Sequence, residues 1–371
     1  MPDPHPPLGG RAPGGAVVGG RELLRRTVVK APGSAPLPTP LTATAFMVTD
    51  LDTGQVLAAR DPHGRYQPAS VLKLLTSITI LPRLPGRRVV IASRAAADAE
   101  GSAVGLVPGG RYTVDTLFKS LLMMSGNDAA VALSDAAGGV GTTVAAMNAE
   151  AARLGAYDTL VQTPSGLDGW KQLTSAYDLT LVLRAAVRIP RLVAYDETSV
   201  AALPRQKVGA RSWRGVPLFN QSQSFFDHVP GAILAKTGFT DAAQHTYVCA
   251  ARRGGRRIGV VLLRAQRRPL DLWQQAAHLL DWAYRVPRAS SAVGTLAGPA
   301  PANAPVTASA SASAAARAGA GGIRTSAARR STLRTHPRGI GAVVVLVGGA
   351  ALLALVELRR RRRRPLPRAL R

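Results

Sequence analysis

The sequence has 371 residues, enough for one large domain or two smaller ones with tails, and its 46% hydrophobic content is enough to build a core. A net charge of +26 invites a nucleic-acid partner, but fifteen arginines against one acid, Glu357, lie from Val286 onward, so the excess belongs to a tail and no nucleic-acid binding is expected. One cysteine, Cys249, excludes an intramolecular disulfide, and six histidines without ligand spacing argue against a bound metal.

Residues 1–40 are rich in Pro, Gly and Arg and are predicted to be disordered. Ala16-Val17-Val18 is too short for the apolar stretch of a secretory signal, so no export signal is read there. Residues 41–285 read as one domain. Thr44–Thr49 and Gln55–Ala59 are strand-like around the turn Asp52-Thr53-Gly54. Leu72, Leu75 and Ile78 give helical spacing over Ser70–Leu81, closed by Pro82. Tyr112–Ala137 reads as helical with a break at Ser125-Gly126-Asn127, and Val144–Leu154 and Ser175–Val187 read as amphipathic helices. Ile233–Phe239, Thr246–Ala251 and Ile258–Leu263 are β-rich, the last two joined by the hairpin loop 252–257, and Leu270–Tyr284 closes the domain as a helix. Cys249 falls inside a strand and reads as a small buried apolar residue.

Strands, then a helical block, then strands again predict an α/β (α+β) fold, with an antiparallel sheet that joins distant parts of the chain. Residues 286–338 are a low-complexity Ala/Ser/Pro/Arg linker. Residues 339–358 carry an apolar run near the lower limit for a transmembrane helix, and 359–371 form a basic tail. Eight arginines follow the run and five precede it closely, which predicts a cytoplasmic tail and an extracytoplasmic domain.

The chemistry starts from lysine usage. Of 47 Lys+Arg residues only six are lysines, and Lys73 alone has a serine three residues before it, Ser70. A buried lysine can shed its proton and act as a base, whereas arginine cannot. Residues i and i+3 share a helix face, and a helix start favours negative charge developing on a serine oxygen. The amine must first be brought below its ordinary proton affinity, by burial and by a second cation such as Lys236. Ser125-Gly126-Asn127 could relay a proton and bond a substrate amide. Lys236-Thr237-Gly238, at a strand end, could hold a carboxylate while the glycine admits a substrate backbone.

Each element is weak alone. Together, and in this order, they resemble the penicillin-binding serine D-alanyl-D-alanine carboxypeptidases, of β-lactamase/transpeptidase-like fold with a helical subdomain. Gly126 stands where the wider superfamily has Asp, as in the low-molecular-mass carboxypeptidases. Tyr66-Gln67-Pro68-Ala69-Ser70, Met147-Asn148-Ala149-Glu150, Ser165-Gly166-Leu167-Asp168 and Lys236-Thr237-Gly238-Phe239-Thr240 extend the likeness over about residues 42–285. The resemblance implies Ser70 as nucleophile, Lys73 as general base and Ser125 as proton relay. It implies that Asn127 bonds the substrate, that Lys236 and Thr237 bind its carboxylate, and that the N–H groups of Ser70 and Phe239, beside Gly238, form the oxyanion hole. The implied partners are peptidoglycan stem peptides, β-lactams and, through the C-terminal helix, the membrane; no cofactor is implied. Gln244 stands where many relatives have glycine and is expected to alter the pocket wall.

A class A β-lactamase would need a Glu with an Asn four residues on, but Glu150 is followed at that offset by Leu154. A transpeptidase shares the acylation chemistry and differs in its acceptor. A non-catalytic wall-binding or β-lactam-sensing module has no need of all three motifs intact.

Overall fold

The structure is a computed structural model that describes residues 9–296. In chain order its strands are β1 (Val28–Lys30), β2 (Ala45–Asp50), β3 (Gln55–Arg60), β4 (Val89–Ile91), β5 (Arg111–Thr113), β6 (Val200–Leu203), β7 (Gln206–Val208), β8 (Arg211–Trp213), β9 (Val216–Phe219), β10 (Ala232–Thr240), β11 (Gln244–Arg253), β12 (Arg256–Ala265) and β13 (Gly294–Thr295). The helices are α1 (Lys73–Ile80), α2 (Arg94–Ala97), α3 (Val114–Met123), α4 (Asn127–Ala136), α5 (Val140–Leu154), α6 (Ala176–Ala186), α7 (Pro190–Asp196), α8 (Gln223–His228) and α9 (Leu272–Arg285).

The main sheet runs β1-β3-β2-β12-β11-β10, with β13 on β3, and every pairing is antiparallel. The sheet therefore joins the two ends of the domain, as the α+β reading expects. Its centre is buried on both faces, which explains why β2 is buried at all six positions. Met47 and Val261 face the core shared with α1, α3 and α6, while Phe46, Val48 and Cys249 face α9. Leu272, Ala276, Leu279, Leu280 and Ala283 follow helical spacing and bury one stripe of α9 on the sheet, and a capping box of Asp271 and Gln274 starts that helix. The β11–β12 hairpin turns at Gly254 and Gly255, both at positive φ, a conformation that glycine adopts without strain.

Three expectations are corrected. Residues 9–40 are not structureless. Arg21–Leu24 form a 3-10 turn with Leu23 fully buried, and β1 pairs with β3. Part of the Gly-rich composition there reflects close packing: a Cβ on Gly9 would lie 1.6 Å from the Asp158 carboxylate, and one on Gly10 2.8 Å from the His63 ring, whereas Gly14, Gly15 and Gly33 face open space. Second, the linker does not begin at 286, because Gly294–Thr295 returns as β13 and the Thr295 N–H donates to Gly19 O at 2.9 Å. Third, Ser70–Leu81 is not a uniform α-helix, since Ala69–Leu72 is 3-10 and only Lys73–Ile80 is α. Among the described residues no single helix is long and apolar enough to cross a membrane. The apolar run 339–358 and the tail 359–371 lie outside the described residues.

Candidate active site

Ser70 is the second residue of the 3-10 turn that opens α1. In a 3-10 turn residues i and i+3 eclipse, so Lys73 comes directly under Ser70. Ala69 adopts φ +49°, a left-handed value that costs a side-chain-bearing residue free energy and must be held from outside. Two contacts hold it. Thr246 Oγ1 donates to Pro68 O at 3.0 Å, and Gly166 packs so closely that a Cβ there would sit 2.0 Å from Ala69 O.

Lys73 is fully buried, and its Nζ lies 2.7 Å from each of Ser70 Oγ, Asn127 Oδ1 and Ser165 O. Asn127 Nδ2 donates to Glu100 O at 2.6 Å, which turns its oxygen toward the lysine. Two of the three partners are therefore carbonyl oxygens that can only accept. A neutral amine gives its two N–H bonds to them and has only Ser70 left for its lone pair. Burial first, and the charge of Lys236 second, hold the Lys73 amine well below the ordinary lysine range of 10.5, against the opposing pull of Asp128.

Asp128 builds the near wall. Its carboxylate accepts the N–H groups of Val104, Gly105, Leu106 and Ala129, closing the loop before β5 onto α4. A Cβ on Gly126 would come 2.7 Å from Asp128 Oδ1, a physical reason for glycine at that position. Ser125 sits at φ +61°, and its hydroxyl is buried without a hydrogen-bond partner while its side chain lines the cleft.

On the far side β10 runs past the serine. Lys236 is buried, and its Nζ donates to Thr237 O at 2.8 Å. Burial lowers the proton affinity of Lys236, and buried Asp196, which accepts the Ala235 N–H at 2.7 Å, pulls it back up. Burial likewise raises the Asp196 carboxyl, against the Ala235 N–H and Lys236. Thr237 and Gly238 line the cleft, and a Cβ on Gly238 would lie 2.8 Å from Ser70 N. Phe239 is exposed, with its ring centroid 4.6 Å from that of His245.

All eight predicted site residues thus gather at one cleft of about 470 Å³. Ser70, Ser125, Thr237, Gly238 and Phe239 line it, and the buried Lys73, Asn127 and Lys236 lie among their neighbours. Gln244 is not in the cleft wall, which His245 forms instead; Gln244 takes φ +55° and its Oε1 accepts from Gln266. Ser165 O, Asp128 and Asp196 belong to the site although sequence reading gave none of them a role. Asp158, outside the cleft, is a further residue that sequence reading left without a role. Burial alone would raise its carboxyl, but bonds to His63 (2.9 Å), Gly10 N and Arg65 bring it below the ordinary range. It joins the loop before Ser70 to the loop that carries Ser165. No cluster of His, Cys, Asp or Glu able to hold a metal lies among the described residues.

The sequence model of the Peptidase S11 family, D-alanyl-D-alanine carboxypeptidase, matches residues 31–267. The chain belongs to this family. D-alanyl-D-alanine carboxypeptidase DacB2 of Mycobacterium tuberculosis is 40% identical over 273 residues, which cover 72% of this chain and 90% of that protein. D-alanyl-D-alanine carboxypeptidase DacD of Salmonella typhimurium is 33% identical over 67% of this chain and 64% of its own length. A crystal structure of a D-alanyl-D-alanine carboxypeptidase from Mycobacterium tuberculosis superposes with a TM-score of 0.67 at 39% identity, covering 72% of this chain and all of that one. The Streptomyces K15 DD-transpeptidase, as its S96A mutant, shares the fold with a TM-score of 0.61 at 22% identity, over 67% of this chain and 99% of its own. Like other carboxypeptidases of this family, the chain is a hydrolase with a cell-wall role.

Proposed function

We propose that the protein removes the terminal D-alanine of peptidoglycan stem pentapeptides through an acyl-enzyme on Ser70. The observation that carries this is the partner set of Lys73, which leaves a neutral amine only the Ser70 hydroxyl to accept from. Lys73 takes the Ser70 proton as Oγ attacks the carbonyl between the two D-alanines. The oxyanion forms where the Ser70 N–H faces Gly238, with the Phe239 N–H as second donor. The unpartnered Ser125 hydroxyl passes the proton from Lys73 to the departing amine, the C–N bond breaks and D-alanine leaves. Lys236 and Thr237 hold the terminal carboxylate, and Asn127 orients the substrate amide. Water then hydrolyses the ester, and β-lactams acylate the same serine.

The domain is read as extracytoplasmic, held by a linker and a span at 339–358, with 359–371 inside. Fluorescent penicillin labelling of Ser70, followed by assay of D-alanine release from a pentapeptide, tests the function. Labelling without release would instead mark a sensor, and no labelling would remove both readings.

A further inference from the structure

Ten large apolar side chains stand exposed among the described residues, and three of them, Val200, Val216 and Phe219, belong to the small pair β6–β9. The register sets Val200 opposite Phe219 and Ala202 opposite Pro217, so alternation puts these four on one face. All four are exposed; on the opposite face Leu203 and Leu218 are buried, while Val216, paired with Leu203, is exposed there. The face is thus an apolar surface that nothing within the described fold covers.

The same hairpin is strongly basic. Between Thr198 and Asn220 it carries four cations, Arg205, Lys207, Arg211 and Arg214, and no acid. All four are exposed, and among the described residues none has a side-chain hydrogen bond or an ion pair. Nor is the tip a loose loop. Gln206 is buried, accepts the Arg111 N–H at 2.8 Å and donates to Arg111 O at 2.9 Å, which fixes β7–β8 to β5.

We propose that this hairpin docks the domain on an anionic lipid surface. The cations meet the headgroups, and the Val200/Phe219 face enters the boundary between headgroups and acyl chains. Charge alone would suit any polyanion, but a hydrated polymer would leave the apolar face in water. Lipid satisfies both halves of the surface. Gln221 and Ser222, just beyond β9, line the catalytic cleft, so docking here sets the cleft mouth beside the membrane.

The test uses the full chain with vesicles that carry doxyl-labelled lipid as quencher. Trp213, at the end of β8, is the probe, its signal taken as the difference from Trp213→Phe. Trp213 emission is lost in phosphatidylglycerol vesicles and retained in pure phosphatidylcholine. Joint reversal of the four cations to Glu restores the emission while penicillin acylation stays unchanged. Should that variant fail to acylate and so to fold, Phe219→Ser alone reduces the quenching. Undiminished emission in phosphatidylglycerol overturns the proposal. So does equal loss in phosphatidylcholine, or loss that survives every one of these substitutions. A Trp213 response to dextran sulfate without any response to vesicles also overturns it, and assigns the hairpin to a polymer.

Discussion

Lys73 Nζ lies 2.7 Å from the main-chain oxygen of Ser165, 92 residues further along the chain. Under the proposed mechanism that oxygen helps decide the direction of proton transfer. It takes one N–H of the neutral amine, Asn127 takes the other, and the lone pair is left to Ser70. In the proposed mechanism the loop that carries Ser165 therefore positions the base, although it supplies no reactive side chain.

The adjacent Gly166 gives the first prediction. It sits at φ +86°, and a Cβ would meet Ala69 O at 2.0 Å. Gly166→Ala strains the backbone and pushes Ser70 out of line with Lys73. Acylation by penicillin should fall by about 100-fold, the scale of an ångström misplacement. The melting temperature should fall as well; a variant that acylates normally would show that Gly166 does not hold the nucleophile.

Gly238→Ala probes the oxyanion position. The new methyl would stand 2.8 Å from Ser70 N and 2.5 Å from Thr246 Oγ1. Loss of one oxyanion donor costs on the order of 100- to 1000-fold in rate. Stopped-flow acylation should record a loss on that scale.

The buried lysine predicts a pH dependence of stability. Its amine is held well below 10.5 in the folded protein and returns to that value on unfolding. Between the two values the unfolded chain binds more protons, so stability rises with pH across this window. Lys73→Met lacks this contribution. The unfolding free energy of the wild type minus that of the variant should increase from neutral pH toward 10, as measured by urea denaturation at several pH values. A flat difference would mean that Lys73 is charged in the folded state.

The N-terminal segment makes a separate prediction. Leu23 is fully buried, and Gly10 N–H donates to Asp158. Leu23→Ala should cost about 2–5 kcal/mol by thermal or urea unfolding. Gly9→Ala, which drives a methyl into the Asp158 carboxylate, should lower acylation as well, because Asp158 ties together the loops on either side of Lys73. A destabilised Gly9→Ala enzyme with unchanged acylation would separate the segment from the site.

The sequence carried the three motifs and most of the main sheet because those signals are local. Ser70 and Lys73 are neighbours on one turn, and strands such as Ile258–Leu263 are continuous apolar runs. Ser165 O was invisible because it is backbone, and its role depends on a loop returning from 92 residues away. Asp196 belongs to no sequence motif, and only the fold brings β10 beside it so that its carboxylate accepts the Ala235 N–H. The N-terminal segment misled for a physical reason: glycines that permit close backbone packing have the same composition as glycines in a disordered tail.

The central claim is that a neutral Lys73 takes the proton of Ser70, and Lys73→Arg tests it most directly. The substitution puts a permanent cation where the neutral amine stood and removes the capacity to act as a base. Measured as the rate of Ser70 acylation by penicillin, the variant should lose more than about 100-fold, the scale of general-base catalysis. Acylation within about tenfold of wild type, a barrier difference of only about 1.4 kcal/mol, would mean that Lys73 is not the base.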